Sequence, residues 1–211
     1  MVMMIQIPDG RARLSRDESR EQTRRRLVDA ATELFTQFGV SDTSLNTVAE
    51  HAGYSRGAFH SNFGDKAELA EAVALSATSM IGPTIDALLV SPIASGARLE
   101  DYIRSYLRFC ADEPLKTSAL IAVVGFQSRF DTVRFESRMK ESLRGIIGLF
   151  KDGQQRDEMR PFDPWLMAYM LRTTLDAAAA RLAARALPTS VDETIGEIVT
   201  IFELATRKET R

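Results

Sequence analysis

At 211 residues the chain is long enough for one large or two small domains and can bury a hydrophobic core without staples. A formal charge of −2 does not announce a nucleic-acid binder, and the single cysteine, Cys110, excludes an intrachain disulfide and fits a reducing cytoplasm. No run of about 18 apolar residues offers a membrane span, and no His-x-x-x-His, cysteine pair, phosphate-binding glycine loop or nucleophile elbow suggests a metal site or an enzyme.

Residues 1–14 read as a flexible leader, and Met1 to Pro8 is too short and lacks the basic start of a secretion signal. Seven arginines fall between Arg11 and Arg26. Such an arm could lie along phosphates or in a minor groove, although a solvated leader running into a helix is the plainer reading. Ser15-Arg-Asp-Glu18 and Ser19-Arg-Glu-Gln22 are two capping boxes, so the first helix starts near one of them. Its apolar stripe is Leu27, Ala30, Ala31, Leu34, Phe35 and Phe38, and Gly39 ends it.

From Ser44 to Lys66 the pattern changes to two short helices and a tight turn. Ser44 caps a helix whose apolar face is Leu45, Val48 and Ala49, and Ala52-Gly53 supplies the break. Ser55 caps a second helix with Phe59 and Phe63 inward, leaving Arg56, Gly57, Ala58, His60 and Ser61 on the remaining face. Two crossed helices around a glycine turn form a helix-turn-helix, whose second helix enters the DNA major groove. Tyr54 to Lys66 carries Arg56, His60 and Lys66 against one acid, Asp65, and such a local positive patch suffices for sequence reading.

Asp65 with Glu68 caps a fourth helix, which runs through Leu69, Val73, Leu75 and Met80 until Gly82-Pro83 kinks or ends it. Beyond it, amphipathic helices are expected over Arg98 to about Asp112, Leu115 to about Phe130 and Val133 to about Gln155. A further helix follows Asp163-Pro164 to about Ala186, and a last one starts near Ser190. Nothing reads as a strand, so the fold is all-α with about nine helices. The helix after Asp163 has two apolar lines, one through Met167, Leu171, Leu175 and Leu182, the other through Leu166, Met170, Ala177, Ala180 and Ala184. One helix with two such faces needs two partners.

Ala30-Ala31, Leu34-Phe35, Gly39, Thr43, Val48-Ala49, Ala52-Gly53, Ser55, Gly57-Ala58-Phe59, Phe63, Asp65-Lys66 and Leu69 together resemble the N-terminal domain of the TetR family of transcriptional repressors. The resemblance covers about residues 20–70. It departs at His60, where the family usually has tyrosine, and at Asn62, where a phosphate-contacting histidine is common. It implies a leader over 1–14, a helix-turn-helix DNA-binding domain over 15–66, and a helical ligand-binding and dimerisation domain over 67–211. By the same resemblance Arg56 and Ala58 face base edges, beside Gly57, while Ser44, Asn46, Tyr54, Ser55, His60, Asn62 and Lys66 hold phosphates. A homodimer built from the last two helices would read a palindromic double-stranded operator with half-sites about 34–36 Å apart, or a multiple of that.

The implied protein is a cytoplasmic, ligand-responsive repressor with no cofactor, no metal, no catalytic residue and no membrane partner. Tyr102, Tyr106, Phe126, Phe130, Met139, Trp165 and Tyr169 are the candidate lining of a pocket for a small apolar effector, although each taken singly is more simply core. Gln127, Arg129, Arg134, Arg172 and Asp176 are candidate polar anchors, and two arginines facing one cavity would favour an anionic ligand instead. The rival reading is a helical small-molecule-binding or enzymatic protein in which the helix-turn-helix is only scaffold.

Overall fold

The computed structural model describes residues 15–208; the leader and its Arg11 and Arg13 lie outside the described residues. Ten helices follow in order: α1 (Arg16–Asp42), α2 (Leu45–His51), α3 (Arg56–His60), α4 (Lys66–Thr78) and α5 (Gly82–Leu89), then α6 (Ser95–Asp112), α7 (Pro114–Phe130), α8 (Thr132–Gln155), α9 (Pro164–Ala183) and α10 (Val191–Thr206). The only strand-like pairing among the described residues is an isolated antiparallel bridge between Met159 and Arg207. The all-α expectation holds. Its count falls one short because Pro83 sits in the first turn of a separate helix, α5, where its missing N–H costs nothing.

Local chemistry sets most helix starts. The first of the two expected capping boxes is used: Ser15 N–H donates to Glu18 Oε2 at 2.7 Å, and Glu18 N–H donates to Ser15 Oγ at 3.2 Å. Ser44, Ser55, Asp65, Asp163 and Ser190 cap their helices through side-chain oxygens, as does Asp131 for α8. Gly39 takes φ +79°, a left-handed conformation that breaks α1 three residues before its end. Phe38, expected in the inner stripe, is therefore half exposed, because the chain turns away before another helix can cover it.

Two apolar cores result. The first joins Leu27, Ala31 and Phe35 of α1 to Val48, Phe59, Phe63 and to Leu69 and Val73 of α4, and it also takes in Ala119 and Val123 of α7. The second joins Leu99, Ile103 and Leu107 of α6 to Ile146 and Phe150 of α8, Leu171 and Leu175 of α9, and Ile195 and Phe202 of α10. The helix-turn-helix core thus extends past Lys66 into α4 and α7, which makes those two helices its seat on the rest of the protein.

One polar cluster ties α4 to both neighbours. Gln127 of α7, 1% exposed, donates from Nε2 to Glu71 of α4 at 3.0 Å and accepts at Oε1 from Arg138 of α8 at 3.0 Å. Arg138 closes the triangle on Glu71 at 2.7 Å. Arg98, which is buried, donates to the Leu89 carbonyl, to Ser95 Oγ and to Asp152, pinning the start of α6 to the end of α8.

Candidate nucleic-acid interface and effector cavity

The turn between α2 and α3 is built from backbone groups. Gly53 has φ +78°, its N–H reaches the Glu50 carbonyl at 3.0 Å, and Tyr54 N–H reaches the Ala49 carbonyl at 2.8 Å. That turn swings α3 so that Phe59 is fully buried with Phe63, their ring centroids 5.7 Å apart. The opposite side of α3 must then face outward. Arg56, Gly57, His60 and Ser61 are exposed, Ala58 is half-buried, and Ser44, Asn46 and Ser55 are exposed around them, with Tyr54 half-buried at the edge. Gly57 keeps the surface of α3 low beside Arg56, so a base edge can approach. His60 sets its ring edge-on to Phe59 at 5.5 Å and stays accessible.

Two of the expected phosphate contacts are placed differently. Asn62 is buried: its Nδ2 donates to the Ala58 carbonyl at 2.9 Å, which closes α3, and its Oδ1 has no partner. Lys66 donates from Nζ to the Ser41 carbonyl at 2.8 Å, so it ties the end of α1 to the start of α4. Burial lowers its pKa against the opposing pull of Asp42. Beside α3, α1 adds a surface the sequence left open. A groove lined by Arg16, Ser19, Arg20, Thr23, Ala58, Ser61 and Asn62 runs between the two helices. Arg24 is committed, its guanidinium 4.1 Å from the Phe63 ring centroid and donating to the Asn62 carbonyl at 2.6 Å, whereas Arg20 makes only a long contact to the Ser61 carbonyl at 3.4 Å.

A cavity of about 560 Å³ lies among α4, α6, α7, α8 and α9. Of the expected lining, Tyr106 and Met139 face it, joined by Phe109, Phe135, Leu120, Ile121, Val124, Leu75 and Ile81. Tyr102 stacks on Tyr106 from the core behind, 6.4 Å between centroids. Phe126 packs against the helix-turn-helix core, and Phe130 is two-thirds exposed at the end of α7. Trp165 and Tyr169 stack on each other at 5.4 Å on the outer side of α9. These four, like Tyr102, stand outside the cavity because helical spacing gives a stripe but not the neighbour it meets.

Arg134 and Arg172 do line this one cavity, as does Arg138. Their charges are nonetheless matched: Arg134 pairs with Asp131, Arg172 with Asp176 and Arg138 with Glu71. Burial pushes the Tyr106 phenol far up, so it stays protonated, accepting from Arg172 at 2.6 Å and donating to Asp176 at 3.3 Å. Burial also raises the Cys110 thiol, which keeps it protonated and unreactive.

The profile described as "Bacterial regulatory proteins, tetR family" matches residues 27–73. Over those residues the chain is similar to the tetR family. The HTH-type transcriptional regulator SrpR of Pseudomonas putida is 46% identical over 56 residues, 26% of each chain. The regulator AcrR of Shigella flexneri is 47% identical over 58 residues, 28% of this chain and 26% of its own. The matched stretch therefore spans about a quarter of those relatives. Over most of its length the chain shares its fold with SmeT, described as the repressor of the Stenotrophomonas maltophilia multidrug efflux pump SmeDEF. Its TM-score is 0.69 at 18% identity, with 91% of this chain and 94% of SmeT covered. A complex of SmeT with triclosan gives a TM-score of 0.70 at 18% identity, covering 89% and 93%.

Outside the cavity, α9 and α10 each leave large apolar side chains exposed. Leu166 and Met170 of α9 are half exposed, as are Ile201 and Leu204 of α10, and Ala177 and Ala184 continue the α9 line without bulk. No single described helix is long and apolar enough to cross a membrane, and no group of three or more His, Cys, Asp or Glu side chains among the described residues could hold a metal.

Proposed function

We propose that this chain is a ligand-responsive, sequence-specific DNA-binding repressor of the TetR type, working as a homodimer in the cytoplasm and without enzymatic activity. The observation that carries the reading is the outward face of α3, with Arg56, Gly57 and His60 exposed over a buried Phe59–Phe63 pair. Arg56 reads guanine through two parallel hydrogen bonds, with Ala58 against a base edge. Ser44, Asn46, Tyr54, Ser55 and His60 fix register on phosphates. Asn62 and Lys66 act from behind, by closing α3 and by holding α4 to α1.

Two α9–α10 faces packed across a two-fold axis make the dimer and set the half-sites of a palindrome. A small, mainly apolar effector enters the cavity. The walls of the cavity include Glu71 and Leu75 of α4, and α4 also carries part of the helix-turn-helix core, so an occupant that moves α4 moves α3. The SmeT likeness supports that reading, since SmeT is described as a repressor and has been seen with triclosan. Fragments of genomic DNA retained by the purified protein, then retested by salt-dependent gel retardation, provide the test. Recovery of one palindromic consensus is expected. Retention of all DNA alike would leave the helix-turn-helix as scaffold, as the rival reading holds.

A further inference from the structure

We infer that Arg172 is the polar anchor of the cavity, and that the cavity takes an apolar molecule carrying one hydrogen-bond acceptor oxygen. This rests on reading the cavity as an effector site. A guanidinium has five N–H donors. Nε of Arg172 donates to Asp176 Oδ2 at 3.2 Å, and Nη2 donates to the Asp176 carboxylate and to Tyr106 Oη. The Tyr106 ring lies 4.6 Å from the guanidinium carbon and shields one of its faces. Nη1 finds no partner in the described chain, yet it is not among the buried atoms left unpaired, which are Asn62 Oδ1 and Arg98 Nε. It therefore remains accessible on a residue that lines the cavity.

The other donors around the cavity are weaker anchors. Thr78 Oγ1 spends its hydrogen on the Ala74 carbonyl, and Ser142 Oγ spends its own on the Met139 carbonyl. Among the basic side chains, Arg172 is the driest at 16% exposure, against 22% for Arg138, 30% for Lys116 and 44% for Arg134. A hydrogen bond gains strength as water is excluded, so an acceptor gains most at Nη1. Asp176 already offsets the charge of Arg172, so a full anion gains less than it would from a lone arginine. A ketone, ether or phenol oxygen needs only the donor.

Calorimetric titration of the full chain with benzophenone and diphenylmethane, which share a skeleton but differ in the carbonyl, tests the anchor. The ketone should bind about tenfold or more tightly than the hydrocarbon. Arg172→Met should bring the two to parity, while Arg134→Gln should keep the preference. Equal affinities in the unaltered chain, or a preference that survives Arg172→Met, overturn the anchor. Asp176→Asn retains Arg172 and decides the matter if Arg172→Met does not fold: it should tighten diphenylacetate binding several-fold, and no gain overturns the proposal. Failure of all three compounds to bind the unaltered chain removes the cavity itself as an effector site, a different failure from equal binding.

Discussion

Met170→Glu tests the homodimer most directly. Met170, Leu166, Ile201 and Leu204 leave 52%, 50%, 56% and 56% of their surface exposed in the single chain. Covering the exposed half of such a side chain is worth about 1 kcal/mol. With four in each protomer, a two-fold interface gathers about 8 kcal/mol from these side chains before the cost of association. Met170→Glu removes that increment in each copy and adds a carboxylate to be desolvated in each. A loss of about 4 kcal/mol follows, which weakens the dimer by about a thousandfold. Sedimentation equilibrium over a concentration series measures the shift, and far-UV circular dichroism should show unchanged helix content because Met170 supports no core within the protomer. A dimer constant unmoved by the substitution would refute the α9–α10 interface.

Arg56→Ala should cost about 1–3 kcal/mol of operator affinity and relax preference at one base pair per half-site; an equal loss on every sequence would contradict base reading. Arg20→Gln, on the α1–α3 groove, should instead weaken all DNA alike and lower the slope of log K against log salt by about one per subunit, so an unchanged slope would remove α1 from the interface. Gln127→Leu deletes two hydrogen bonds to charged partners and should lower stability by about 2 kcal/mol. Because it loosens α4 from α7 and α8, it should also change the effector concentration needed for operator release. Urea unfolding and effector titrations would show both, and a stability loss with unaltered release would leave the cluster purely structural. The hydrogen bond from Arg98 holds the Asp152 carboxyl below the usual carboxylate range, with Arg156 adding to it. A depressed folded pKa gives stability that is present above the unfolded value, about pH 3.9, and lost as pH falls through the lower folded one. Asp152→Asn should therefore flatten the acid limb of a stability–pH curve below about pH 4, and an identical limb would show that the pair contributes nothing there.

Most helix starts were decided by local sequence. Ser15, Ser44, Ser55, Asp65, Asp163 and Ser190 each accept a backbone N–H from within their own first turn, so no distant residue is needed to place them. The same holds for the glycine at the α2–α3 turn, whose positive φ is a local demand, and hence for which side of α3 faces outward. What each apolar stripe meets was decided only by the tertiary structure. Trp165 and Tyr169 belong to the outer side of α9, whereas Tyr106, at similar spacing on α6, meets Arg172 and Asp176 across the cavity wall. Ile201 shares the apolar pattern of Ile195 and Ile198 yet is exposed, and Ala119 and Val123 of α7 serve the helix-turn-helix core far upstream in the chain. Periodicity records that a face is apolar. It carries no information on whether another helix, a cavity or a second subunit covers that face, because that depends on the crossing of helices far apart in the chain.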